Sequence, residues 1–124
     1  MDELDAFFNG QELAREIFAA LAELVESLGP AELRVTKSQI AFRRKTLRSH
    51  ATFAAAWMPE KYLKRRAAPL VLTVFLRSRD PSPRWKEIVE PYPGRFTHHL
   101  ELYEVEALDE QVSGWLQLAW ELAG

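Results

Sequence analysis

The chain has 124 residues, 48% of them hydrophobic, no cysteine and a formal net charge of −2. That length fits a single domain over residues 1–124 with one core, and the apolar content is too high for a disordered chain. The missing cysteines exclude disulfides, thiolate nucleophiles and zinc–thiolate centres, while the acidic opening "MDELDAFFNG" and the absence of any apolar run near the ~20 residues of a membrane span predict a cytoplasmic protein with no leader and no membrane partner.

In chain order, the first strong periodicity is "NGQELAREIFAALAELVESLG", where Leu13, Ile17, Leu21, Leu24 and Leu28 recur at helical steps and predict one apolar stripe. Asn9 is the expected N-cap, Glu12 and Glu16 suit the positive end of the helix dipole, and Gly29–Pro30 is a stop signal. From about residue 33 the period changes to two. "LRVTKSQIAFRRK" reads as one or two strands, "TFAAAWM" as another, and "PLVLTVFLRSR" as a strand whose continuous apolar run predicts a central place in a sheet. "DPSPRWKEIVEPYPGR" carries four prolines, which predicts irregular chain with one short helical turn around "RWKEIV". "FTHHLELYEV" alternates again. "LDEQVSGWLQLAWELAG" is helical, capped by Asp109, with Val112, Trp115, Leu116, Ala119 and Leu122 or Ala123 on its buried stripe.

Helix, several closely connected strands and helix predict an α+β fold. The expected sheet is largely antiparallel with four or five strands, and an N-terminal and a C-terminal helix cover one face. The other face is left for function. Strand alternation predicts that Arg43, Lys45, Arg77 and Arg79 share it with Phe75 and Tyr103.

Charge is strongly segregated along the chain. Residues 1–33 hold eight acidic groups against Arg15, residues 87–124 hold eight against Arg95, and residues 34–86 hold fourteen Lys or Arg against Glu60 and Asp80. Fourteen cations cannot all be neutralised by two local anions. Cations interleaved with aromatic rings are the composition of nucleic-acid surfaces, where they meet phosphates and stacked bases. The expected polyanion-binding residues are Lys37, Arg43, Lys45, Lys64, Arg65, Arg66, Arg77 and Arg79, with Tyr62, Phe75 and Tyr103 as stacking candidates. "EKYLKRRAAP" is the densest basic cluster and is read as a loop between strands.

No catalytic constellation is present: there is no G-x-S-x-G elbow and no glycine-rich phosphate loop. His98 and His99 are strand neighbours that point to opposite faces, so they do not form a metal pair, and no metal or cofactor is expected. Three readings stand: a non-enzymatic module for nucleic acid or another polyanion, an interaction module that pairs with itself or an acidic protein, and small anionic ligand binding or catalysis in a pocket between helices and sheet.

Together, "VTKSQIAFRRK", "PEKYLKRRAAPLVLTVFLRSRDPSPRWKEIVEPYPGRFTHHLEL" and "WLQLAWE" resemble the bacterial family catalogued as domain of unknown function 5655, over about residues 6–122. The resemblance implies a domain that occurs alone. It also implies kinship with the C-terminal part of longer chains whose first domain is similar to restriction-type nucleases. That context suggests a nucleic-acid-related accessory role by analogy; no catalytic residues carry over.

Overall fold

The computed structural model describes residues 2–47, 50–61 and 67–124, with backbone alone at His50 and Lys61. It is an α+β fold with three α-helices and a six-stranded antiparallel sheet. The helices are α1 (Glu3–Phe8), α2 (Glu12–Leu28) and α3 (Glu110–Leu122). The strands are β1 (Ala31–Val35), β2 (Ile40–Lys45), β3 (His50–Trp57), β4 (Leu70–Leu76), β5 (Glu87–Tyr92) and β6 (Arg95–Leu102), in the spatial order β1-β2-β3-β4-β6-β5. β4 lies between β3 and β6, as its unbroken apolar run predicts, and Leu70, Val71, Leu72 and Val74 are all buried.

One face of the sheet carries Ile40, Phe42, Ala54, Ala56, Leu70, Leu72, Val74, Leu100 and Leu102, and these join side chains from all three helices in one core. A β-bulge between β2 and β3 helps fill it. Phe42 pairs with Ala54 and Arg43 with Thr52, so Phe53 is the extra residue. The bulge turns Phe53 onto the same side as Ala54, where its ring meets Trp120 edge-on at 5.5 Å. The rings of Phe7, Phe8, Phe18, Phe42 and Phe53 follow one another at centroid distances of 5.1, 5.4, 5.8 and 6.3 Å, linking α1 to the bulge.

Several expectations are corrected. Asn9 does not cap α2. It sits in the left-handed region (φ 41°) at the C-terminal end of α1, a six-residue helix with no periodicity to announce it, and α2 begins after Gln11 with no side-chain cap. The buried face of α2 is Ala14, Ile17, Phe18, Leu21 and Val25, while Leu13 is 46% exposed. The buried stripe is rotated by about one residue because the bulky Phe18 is drawn into the aromatic series. The proline-rich segment forms no helical turn. It supplies β5, an edge strand that tolerates Pro91 because its pairing with β6 breaks register between Val89 and Tyr92. The sheet therefore has six strands instead of four or five.

α3 follows expectation except at its end, where Leu122 and Ala123 are only partly buried. Asp109 accepts the Val112 amide at 3.1 Å, and Val112, Trp115, Leu116, Ala119 and Trp120 are buried. No helix among the described residues is long and apolar enough to cross a membrane.

Candidate anion-binding face

The face of the sheet away from the helices divides into a basic wing, a hydrogen-bonded centre and a mixed wing. The basic wing follows from register. Leu33, Phe42 and Arg44 alternate onto the helix side, so Glu32 and Arg34 of β1, Arg43 and Lys45 of β2 and Thr52 of β3 stand together on the other. Arg34, Arg43 and Thr52, with Thr36, Ser38 and Gln39 of the β1–β2 turn, line a shallow depression of about 460 Å³ floored by Ala41. Arg43 forms an ion pair with Glu32 at 3.6 Å. Arg34 and Lys45 are exposed, and neither forms an ion pair with another described residue.

The turn is preorganised. Thr36 Oγ1 accepts the amides of Ser38 and Gln39 at 3.3 and 3.2 Å, and the Thr36 amide donates to the Gln39 carbonyl at 2.9 Å. Arg34 and Thr52 were not among the expected site residues. The signal for Arg34 was its alternation with Leu33 and Val35, one strand earlier than the densest cations.

At the centre, Trp57 donates its indole N–H to Thr73 Oγ1 at 3.0 Å, and Thr73 Oγ1 lies 2.9 Å from His99 Nδ1. The hydroxyl accepts from the indole, and the tautomer of the neutral imidazole sets which partner donates in the second bond. Burial holds His99 below the ordinary histidine range; Glu87, its partner across β5, pulls the other way, and His98 and Lys86 add to the lowering. Beyond the centre lie Glu101, paired with Lys86 at 3.2 Å, and Arg95, whose guanidinium covers the Phe75 ring at 4.2 Å.

Other cations of the middle segment serve α3. Arg44 donates to the Trp120 carbonyl at 2.8 Å and lies over that indole at 4.4 Å. Arg77 reaches the Leu122 carbonyl at 3.4 Å. Arg84 donates to both carboxylate oxygens of Asp109 at 3.0 Å, to Gln111 Oε1 at 2.8 Å and to the Ala107 carbonyl at 3.1 Å. The Val112 amide, then Arg84, hold the Asp109 carboxyl below the usual carboxylate range. Two arginines thus meet the negative end of the helix dipole, and the third binds the cap at the positive end.

The expected residues are therefore only partly gathered. Arg43 and Lys45 share the basic wing. Arg77 and Arg79 do not continue the alternation of β4, because that strand ends at Leu76; Arg77 turns to α3 and Arg79 lies 5.4 Å from the Phe96 ring centroid. Lys37 is exposed at the β1–β2 turn and lines a hollow with Glu3, Ala6 and Phe7 of α1. Phe75 is on the open face beneath Arg95, and Tyr103 lies one residue past β6, 58% exposed. Tyr62, Lys64, Arg65 and Arg66 lie outside the described residues. His98 and His99 face opposite sides of the sheet, His98 in the core against Trp85.

No curated protein and no solved structure matches the chain at a significant level. A family model does, over residues 4–123, nearly the whole chain. The chain belongs to the family described as domain of unknown function (DUF5655).

Proposed function

We propose that this domain is a non-enzymatic module that holds a polyanion, nucleic acid in the first instance, on the basic wing of its open sheet face. The observation that supports this reading is that Arg34, Arg43 and Lys45 share one side of β1 and β2, with Arg34 and Arg43 lining a depression edged by the hydroxyl residues Thr36, Ser38 and Thr52 and Lys45 farther along β2. Guanidinium and ammonium groups neutralise phosphates, and hydroxyls on strands and turns donate to phosphate oxygens. Contacts of these kinds position a backbone without reading its sequence, so the expected binding is sequence-tolerant.

Fluorescence anisotropy with labelled single- and double-stranded DNA, titrated at several salt concentrations, tests the proposal. Each duplex phosphate neutralised adds about 0.9 log unit of affinity loss per log unit of salt, and each single-strand phosphate about 0.7. The double variant Arg43→Ala/Lys45→Ala is expected to bind at least tenfold more weakly and to lose ~1.5 to 2 units of that slope. No binding by the unaltered protein at about 50 mM salt, or an unchanged slope in the variant, overturns the reading.

A further inference from the structure

The sheet has two outer strands, and they are protected differently. β5 carries Pro91 and an irregular register, both of which discourage a further strand. β1, "AELRV", has no proline, no glycine and no irregularity in its pairing with β2. The Thr36 amide donates to Gln39, so Thr36 turns its backbone groups toward β2. By alternation Arg34 and Glu32 do the same, and Ala31, Leu33 and Val35 turn theirs outward. No hydrogen bond from another described segment occupies those outward groups. Leu33 is 41% exposed at this edge.

The order of residues in β1 is self-complementary. Laid antiparallel on a second copy about a two-fold axis through Leu33, Leu33 meets Leu33 of the other chain, Ala31 meets Val35, and Glu32 meets Arg34, twice by symmetry. Ala31, Leu33 and Val35 become the hydrogen-bonded positions, which satisfies every outward N–H and C=O of the strand. Glu32 and Arg34 become the non-hydrogen-bonded positions, where cross-strand side chains are closest. A shift of one residue would set glutamate and arginine opposite apolar positions, so charge as well as hydrogen bonding selects this register.

We propose that β1 is a homodimerisation edge, joining two copies into a continuous twelve-stranded sheet through β1–β1 pairing with reciprocal Glu32–Arg34 ion pairs. The inference does not rest on the polyanion reading, although Arg34 belongs to both; self-association is measured without nucleic acid, so the two fail separately. A pairing of five residues covers less than a standard protein interface, so the dimer is weak and depends on concentration.

Sedimentation equilibrium on the full chain, with circular dichroism to confirm folding, provides the test. The unaltered protein is expected to dimerise as concentration rises. Glu32→Arg alone sets arginine against arginine, and Arg34→Glu alone sets glutamate against glutamate, so each should weaken self-association at least tenfold. Mixing these two variants should restore a dimer, now a heterodimer, because the first then presents two arginines to the two glutamates of the second. Where a reversal disturbs folding, Leu33→Asp serves instead, since it apposes two carboxylates at the axis and should give a monomer. A monomer at every concentration for the unaltered protein, a dimer that survives both reversals or Leu33→Asp, or a mixture that stays monomeric overturns the proposal.

Discussion

At the scale of single residues, the most constrained polar group is His98. It is fully buried, its Nε2 accepts the Asp80 amide at 3.0 Å, and its Nδ1 lies 3.1 Å from the Phe96 carbonyl. Only the neutral ring with its proton on Nδ1 satisfies both contacts, because a proton on Nε2 would face the Asp80 N–H. Burial holds this histidine below its ordinary range, with Arg79 adding to the effect, while the Phe96 carbonyl and Asp80 oppose it. The unfolded chain therefore takes up protons from about pH 6.5 downward that native His98 and His99 refuse. Stability should fall as pH drops through that range and level off only below the depressed native values. Urea unfolding between about pH 7 and pH 5 checks this, with His98→Gln expected to flatten the fall. An unchanged slope in that variant would remove His98 from the account.

Gly29 is constrained by shape. Its φ is 149°, and a Cβ there would stand 2.7 Å from Cζ2 of Trp120. Gly29→Ala is expected to cost about 1–3 kcal/mol. Gly114, in the exposed middle of α3 with nothing within 4 Å, should respond in the opposite sense, with Gly114→Ala stabilising by up to about 1 kcal/mol. Thermal unfolding of the two variants should move the midpoint in opposite directions.

At the scale of elements, α3 shows how the cations of one segment support another. Arg84 ties the loop before β5 to Asp109, Gln111 and Ala107, and its guanidinium lies 5.6 Å from the Trp115 ring centroid. Its side chain is 31% exposed, so solvent screening reduces what the ion pair contributes. Arg84→Ala should destabilise by about 1 kcal/mol in chemical denaturation, and a null effect would show the clamp to be energetically idle.

The elements themselves were legible wherever one periodicity ran for long enough. α3 with its Asp109 cap and the buried run of β4 both follow from pattern. α1 was not legible because "ELDAFF" is shorter than two helical turns and its two phenylalanines are fixed by tertiary packing. β5 was obscured by prolines, whose tolerance depends on edge position, a property of the assembled sheet. The stripe of α2 was misplaced because leucine spacing alone does not reveal that Phe18 docks on Phe42 at 5.8 Å.

At the scale of the whole molecule, two groups of described cations from the middle segment have different tasks. Arg44, Arg77 and Arg84 hold α3, and Arg34, Arg43 and Lys45 occupy the open wing. Strand alternation was enough to place Arg43 and Lys45 together. It failed for Arg77 and Arg79 because nothing local marks Leu76 as the last residue of β4, and what draws Arg77 away is a carbonyl 45 residues distant in sequence. The two wings also differ in character, since the far wing carries Glu87 and Glu101 among its cations. Lys86→Ala and Arg95→Ala should therefore leave DNA affinity within about twofold of the unaltered protein, in contrast to the Arg43 and Lys45 changes.

The indoles of Trp85 and Trp115 lie 4.1 Å apart, one on the loop before β5 and the other on α3, with the His98 imidazole 4.8 Å from the first. Two chromophores so close share their excited states, which gives the protein an intrinsic optical signature in the near ultraviolet. That signal exists only while the last helix is seated, so its undocking can be followed by light alone, without a label.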